Sequence, residues 1–522
     1  ARGPGPRHRE RLAPSLEEAL SLFASPLRRV RGALGLTAAS AAHEASLPPG
    51  PRAPALVQAA RFGADPYGYL RELERAHGDT FTLRLPGDPP RVCCSHPDDV
   101  KAIFALRAED FRQSEASIPL SLGTSSLLLL DGDRHARERK LIVPTLLGED
   151  LDRYAMLMRD TTRRALERWP VGSTLRLDEA LRDIALETIC LCVFGIEGER
   201  VEEASRLTRA WIELAFSPRM FIAGVLLSAG RVRAVLDAVA RDSPARRGGS
   251  TARRVLPWQR VADRKAALMK LLDDEIAAAR RAASADGRAD VLTKLTRARF
   301  EDGTAMTDAE LVDELVTLLI GGHETTATSM AWALLDVLGR PDVLARVRGE
   351  LDAETTTEAA ALARPGRLPY LEACIRESMR ISPVAIAIPR YLVRPLALRR
   401  ATVPAGTFVW ACSVLTQRSA DNFPDPEAFR PERFLEGKPT GEQHYPFGGG
   451  RRRCAGMTFA AVEMRVVLAE ILASADLELA TDRRSKPVMR GITMSPDDGV
   501  PVLVRGVRRA PKVAGRDRSV SS

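Results

Sequence analysis

Between Thr307 and Gly339 the chain carries one long helical pattern, and everything else must be arranged around it. Thr307-Asp308-Ala309-Glu310 has the form of a capping box, in which hydroxyl and carboxylate each satisfy a backbone N–H at a helix start. Leu311, Leu315, Leu318 and Leu319 follow at helical spacing, and no stop arrives before Gly339-Arg340-Pro341. The helix expected is roughly 30 residues, about 45 Å at 1.5 Å per residue. A helix of that length crosses a whole domain.

The other periodic stretches are mostly helical, with a few strand-like pieces. Thr80 to Leu85 alternates apolar and polar residues, Pro86-Gly87-Asp88 offers a turn, and Arg91 to Cys94 returns, which predicts a small hairpin. Thr407 to Ala411, Val488 to Thr493 and Val502 to Val504 are the remaining strand candidates. The fold class expected is therefore mainly α with a minor β region, and no internal repeat is present. Leu47-Pro48-Pro49-Gly50-Pro51-Arg52 marks a stiff beginning to the folded part. We expect a polar, basic N-terminal extension over 1–46, one domain over 47–505 and a disordered basic tail over 506–522. Arg241 to Arg254, rich in Arg, Ser, Pro and Gly, reads as an exposed loop.

Charge and cysteine usage exclude several classes. The net charge of +9 is the small difference between 77 basic and 68 acidic residues, and no aromatic residues interleave with the basic runs, which argues against nucleic acid as a partner. Seven cysteines without an even framework argue against a disulfide scaffold, and Cys93-Cys94 and Cys190-x-Cys192 match no zinc spacing. They read as buried small apolar residues. No run of about 18 apolar residues occurs, and Leu16 to Leu36 is interrupted by Glu17, Glu18, Arg28, Arg29 and Arg31, so it is at most a helix lying on a surface. The expected location is the cytoplasm, although a start at Ala1 leaves room for a leader upstream.

The chemistry lies in Phe447-Gly448-Gly449-Gly450-Arg451-Arg452-Arg453-Cys454-Ala455-Gly456, a glycine-rich loop that delivers a cysteine to a helix beginning near Thr458. Glycines let backbone approach a flat ligand, and a helix N-terminus with three arginines favours a thiolate. A lone cysteine is ordinarily a buried apolar residue. Here Phe447, Gly450, Arg452, Cys454 and Gly456 fit F-x-x-G-x-R-x-C-x-G, the haem-binding signature of the cytochrome P-450 family, which this chain resembles. At about 5% usage per residue type, five fixed positions match by chance about once in several million starts.

The resemblance extends in order along the chain. Glu377-Ser378-Met379-Arg380 and Pro431-Glu432-Arg433-Phe434 match the E-x-x-R and P-E-R-F segments, which implies a buried structural triad of Glu377, Arg380 and Arg433. Gly321-Gly322-His323-Glu324-Thr325-Thr326 puts two glycines inside the long helix, each costing about 1 kcal/mol relative to alanine. It is similar to the family's A/G-G-x-D/E-T segment, which gives Glu324 and Thr325 the delivery of protons to bound dioxygen and leaves His323 a neighbour, not a ligand. Propionate partners by resemblance are His135, Arg139, Arg390 and Arg452.

A single cytochrome P-450-type fold is implied, with haem b (iron protoporphyrin IX) held between the long helix and the cysteine-bearing loop and helix, and Cys454 as axial ligand of the iron. The activity implied is insertion of one oxygen atom of dioxygen into a predominantly apolar small molecule: a fatty acid, terpenoid, steroid or polyketide. No flavin, nicotinamide or iron–sulfur fingerprint is present, so electrons are expected from a ferredoxin or flavodoxin and its reductase, docking on a basic surface around Cys454 with Arg134, Arg137 and Lys140. A monomer is expected. Substrate contacts are expected in Ser114 to Leu130, Trp211 to Ile222 and Val384 to Ile388. The alternatives are a peroxide-driven peroxygenase and a non-catalytic haem sensor or carrier; the Glu324 and Thr325 pair weighs against both.

Overall fold

The structure is a computed structural model that describes residues 46–86, 88–115, 122–148, 150–196, 198–215, 257–282, 290–354, 359–362 and 364–508. The features below belong to a compact unit that begins at Pro48. The expected extension, the 241–254 loop and the tail beyond 508 lie outside the described residues, as do 116–121 and 216–222 of the expected substrate stretches.

The long helix runs Asp308–Leu338, 31 residues. Its capping box is formed: Glu310 Oε2 accepts from Thr307 N at 2.9 Å, and Thr307 Oγ1 accepts from Glu310 N at 3.3 Å. Twenty of its side chains are buried, around its whole circumference, as befits a helix through the middle of a protein. It separates two cores. Leu311 to Ile320 packs with helices Asp150–Glu167, Leu177–Cys192 and Pro257–Ala282. Ala327 to Val337 packs with helices Pro369–Ile381 and Met457–Ser474. Gly321 to Thr326 is the seam between the two cores.

The strands are β1 Thr80–Leu83, β2 Arg91–Cys94, β3 Phe111–Arg112, β4 Thr174–Arg176, β5 Ile388–Leu392, β6 Leu396–Ala397, β7 Thr402–Val403, β8 Phe408–Ala411, β9 Ala475–Leu479, β10 Pro487–Arg490, β11 Thr493–Pro496 and β12 Pro501–Val507. The expected hairpin is present, with Thr80 opposite Cys94, but it is one edge of a five-stranded sheet in the order β1-β2-β8-β5-β3. β2 lies parallel to β8, 317 residues later in the chain by the offset of Arg91 against Phe408, a pairing no local pattern encodes. Two further expectations need correction. Val488 to Thr493 is not one strand but the turn of a hairpin, β10 and β11, with Gly491 at φ +61. The last strand runs beyond the expected boundary at 505, because Gly506 and Val507 pair with Asp476 and Ala475 across a bulge.

All cysteines except Cys454 are buried, as their apolar reading requires. Among the described residues no helix is long and apolar enough to cross a membrane.

Candidate active site

The cysteine loop is shaped by its glycines and by Phe104, the last residue of helix Pro97–Phe104. Gly448 and Gly450 adopt left-handed φ values of +67 and +63. A Cβ on Gly450 would stand 2.1 Å from Phe104 O, and one on Gly449 2.2 Å from the Phe104 ring. Phe104 in turn packs edge-on against Tyr445 at 5.3 Å, whose hydroxyl meets Thr416 at 2.8 Å. The loop closes with Cys454 N donating to Phe447 O at 2.9 Å, and helix Met457–Ser474 follows. Gly450→Ala is therefore expected to lose about 1–2 kcal/mol from its backbone conformation and about 1–3 kcal/mol more from overpacking. A thermal melt equal to that of the parent protein would contradict it.

Cys454 is exposed where the other cysteines are buried, yet desolvation by its surroundings is the largest influence on its thiol and pushes it above its usual range. The Gly456 N–H, Arg139 and Arg453 pull in the opposite direction. This corrects the expectation of three loop arginines favouring a thiolate. Only Arg453 of the three acts on the sulfur; Arg452 turns away to donate to Leu127 O at 3.1 Å and to Leu130 O, and pairs with Asp131 at 3.3 Å. Burial thus outweighs the groups that favour a thiolate.

The four side chains expected at the propionates come together. Arg390 on β5 is buried, donating to Pro389 O at 2.8 Å and to Gly449 O at 3.4 Å. The Phe111 ring lies 5.2 Å from the Arg390 guanidinium and 5.9 Å from that of Arg452. Burial and the charge of Arg452 bring Arg390 down to about 9, and burial is also the main reason Arg452 falls to about 10. Burial, Arg452 and Arg139 hold His135 at about 3, so it is neutral. Cations that disturb one another in this way, with Asp131 the acid among them, suit an anionic ligand. A cavity of about 490 Å³ opens between helix Gly132–Thr145 and the cysteine loop, lined by Phe111, His135, Arg139, Lys140, Arg451 and Arg452 among others.

On the long helix the two glycines have separate reasons. A Cβ on Gly322 would lie 2.6 Å from Ile189 Cδ1, so Gly322 admits helix Leu177–Cys192, whereas a Cβ on Gly321 would meet nothing within 4 Å. Gly321 thus faces open space, and Thr325 Oγ1 donates to its carbonyl at 2.6 Å. Glu324 turns towards Arg182 at 3.9 Å; burial raises its carboxyl above the ordinary range, and Arg182 pulls it down. Arg182 and Arg490 both reach Asp178, at 2.8 and 2.6 Å. His323 is buried; burial, Arg182 and Arg209 lower it to about 3, against a hydrogen bond to the Arg182 backbone that raises it.

The profile of the cytochrome P-450 family matches residues 47–223 and 254–500. The chain belongs to the cytochrome P-450 family. Cytochromes P-450 135B1 and 138 of Mycobacterium tuberculosis are 34% and 30% identical to it over 464 and 471 residues, covering 88% and 90% of this chain and 92% and 99% of theirs. The retinoic acid-bound structure of cyanobacterial CYP120A1 has the same fold, with a TM-score of 0.69 at 23% identity over 84% of this chain and 94% of that one. Members of the family are haem monooxygenases.

In this P-450 the E-x-x-R segment and the downstream arginine form one buried cluster. Arg380 donates to both Glu377 oxygens, at 2.7 and 2.9 Å, and to Gln417 O and Pro426 O at 2.9 and 2.8 Å. Arg433 Nε lies 3.3 Å from Glu377 Oε1, and its other end donates to Asp425 O at 2.8 Å. Four carbonyls of the 417–428 stretch, those of Gln417, Asp425, Pro426 and Ala428, are thereby held by the Glu377 cluster on helix Pro369–Ile381. Arg134, Arg137 and Lys140, expected to join a docking surface, are exposed together with Arg451 and Arg453. The first three also form ion pairs at the surface: Arg134 with Glu138 and Glu310, Arg137 with Asp302, and Lys140 with Glu301.

Several site-forming residues were missed in the sequence. Phe104, Asp131, Gln113 and Arg490 carry no motif, and only the path of the chain brings them in. Hairpin β10–β11 was missed as a wall of the site: Met494 N donates to Val384 O at 3.0 Å, and Trp332 Nε1 donates to Met494 O at 2.8 Å.

Proposed function

We propose that this P-450 inserts one oxygen atom of dioxygen into a predominantly apolar small molecule, with haem b that Cys454 would hold through its sulfur and electrons from a separate ferredoxin or flavodoxin. The observation that carries this reading is the accessible Cys454 set in a glycine loop beside four converging propionate candidates, His135, Arg139, Arg390 and Arg452. Thiolate-ligated haem supplies the activation of dioxygen when bound. The chain's own part is to hold, orient and protonate. Phe447, Gly450 and Gly456 shape the loop, the four cationic or imidazole groups take the propionates, and Glu377, Arg380 and Arg433 brace the segment before the loop.

Thr325 and Glu324 manage protons. The Thr325 hydroxyl, anchored to Gly321 O, keeps its lone pairs on the open side of the helix. Glu324, raised by burial, holds a proton more readily than an exposed glutamate, and its Arg182 contact leads towards the polar cluster at Asp178. Thr325→Ala is expected to lower product formation about 100-fold while electron consumption continues; product per electron is the quantity to measure, and an unchanged ratio counts against the relay.

Val384 to Ile388, the described parts of Ser114 to Leu130 and of Trp211 to Ile222, and hairpin β10–β11 are the candidates for substrate contact. Exposed Arg451 and Arg453, with the exposed Arg134, Arg137 and Lys140, are the candidates for meeting an acidic electron donor. The test is the absorption spectrum of the reduced, carbon monoxide-bound protein, where thiolate ligation gives a Soret band far to the red of histidine ligation, followed by turnover in isotopically labelled dioxygen. One labelled oxygen per product is expected. Turnover with peroxide but none with reduced ferredoxin and dioxygen would replace the proposal with a peroxygenase.

A further inference from the structure

Three segments that carry the propionate candidates are joined at one carboxylate, Asp131. It stands at the N-cap of helix Gly132–Thr145, which carries His135 and Arg139. An aspartate there ordinarily accepts from N–H groups of its own first turn. Asp131 accepts from none of them. Its oxygens are turned instead to the chain just after strand β3. Gln113 N donates to Oδ1 at 2.5 Å, and Ser114 donates to Oδ2 through its hydroxyl and, at 3.4 Å, through its N–H. Arg452 Nη2 of the cysteine loop lies 3.3 Å from Oδ1, in a pair whose side chains keep only 8% and 21% of their surface exposed.

The segment held in this way reaches both arginines. Phe111, on β3, sets its ring 5.2 Å from the Arg390 guanidinium and 5.9 Å from that of Arg452. Gln113 Oε1 accepts from Arg390 Nη1 at 3.5 Å. A hydrogen-bonded line therefore runs from Arg390 through Gln113 and Asp131 to Arg452. Strand β3 is itself fixed to β5, the strand of Arg390, by the pairing of Phe111 with Leu392 and of Arg112 with Tyr391. Arg390 feels the like charge of Arg452, so their partners must hold the two together. The carbonyls of Leu127 and Leu130 orient Arg452 without net charge. Asp131 adds the opposing charge, which makes its contact the stronger kind.

We propose that Asp131 is a positioning residue for the propionate anchors: by binding segment 111–114 to Arg452 it holds the guanidiniums of Arg452 and Arg390 as a spaced pair. His135 and Arg139 keep their place relative to that pair because their helix starts at the same residue. The inference rests on the reading of these four side chains as partners of the haem propionates. Asp131 acts through Arg452 and Gln113, and its negative charge offsets part of the positive charge gathered there. Removing that charge favours ferrous over ferric iron, whereas loosening the arginines weakens the hold on haem.

Two variants of the haem-loaded full chain test this, read by the rate of haem transfer to apomyoglobin and by the ferric–ferrous reduction potential. Asp131→Asn keeps an acceptor for Gln113 N but loses the charge and one acceptor oxygen. Haem transfer is expected to accelerate about 10- to 100-fold, as for the loss of one charge-assisted hydrogen bond, and the potential to move in the positive direction. Gln113→Ala breaks the tie to Arg390 and removes no charge, so transfer should accelerate about threefold with the potential unmoved. Faster transfer in Asp131→Asn at an unmoved potential would make Asp131 a structural brace alone and overturn the proposal. A shifted potential without faster transfer overturns it too, and slower transfer would mean that Asp131 competes with the propionates for Arg452. A parental transfer rate in Gln113→Ala also overturns it, and that variant decides the matter if Asp131→Asn does not fold. A parent protein that takes up no haem defeats the functional reading and this inference with it; a haem-loaded parent whose variants match it defeats this inference alone.

Discussion

Glu377→Gln is expected to destabilise the protein by about 3–5 kcal/mol, because it leaves two buried guanidinium groups without their carboxylate. That is a large share of the roughly 5–15 kcal/mol by which a domain of this kind is stable. Arg380 has no exposed surface on which to rehydrate, and Arg433 little. The carbonyls of Gln417, Pro426 and Asp425 would remain bonded to cations that nothing neutralises, so the stretch leading to the cysteine loop loses its hold on helix Pro369–Ile381. Thermal unfolding and haem content should fall together. Arg380→Lys should give little rescue, since an ammonium cannot span both Glu377 oxygens and two carbonyls at once. A Glu377→Gln protein that melts with the parent would show that the cluster is dispensable.

Cys454→Ser is expected to abolish the red-shifted Soret band and to reduce oxygen insertion by several orders of magnitude while leaving the fold intact. Cys454 makes one backbone bond, to Phe447 O, which serine reproduces, so the loop has no reason to collapse. What serine cannot supply is a soft, electron-rich thiolate. Retention of the band in Cys454→Ser would mean that another residue ligates the iron. The two substitutions are distinguishable: the first removes folded protein and haem together, and the second removes the chemistry from a folded chain.

The motifs that could be read in the sequence are those in which local chemistry is self-sufficient. The capping box at Thr307, the turn at Gly339 and the glycines flanking Cys454 each depend on residues within a few positions of one another. Glu377 and Arg380 are adjacent on one helix turn, and the position of Arg433 followed from resemblance. The loop arginines illustrate the limit. Spacing placed Arg451, Arg452 and Arg453 beside Cys454, but consecutive side chains in a tight turn point in different directions, and Arg452 turns to the carbonyls of Leu127 and Leu130. Nor does spacing show that the turn before the long helix brings Asp302 and Glu301 beside the exposed Arg137 and Lys140.

By itself, the sequence determined the long helix, its glycine break, the cysteine loop and the pairing of Glu377 with Arg380 on one helix turn, because each is specified by neighbours in the chain; the burial of that pair followed from resemblance. The tertiary structure alone decided that β2 joins β8 in one sheet, that Phe104 demands Gly449 and Gly450, and that Ile189 demands Gly322. Those contacts join residues from about 130 to over 340 positions apart, and burial gives them their strength by excluding the water that would otherwise satisfy each group separately.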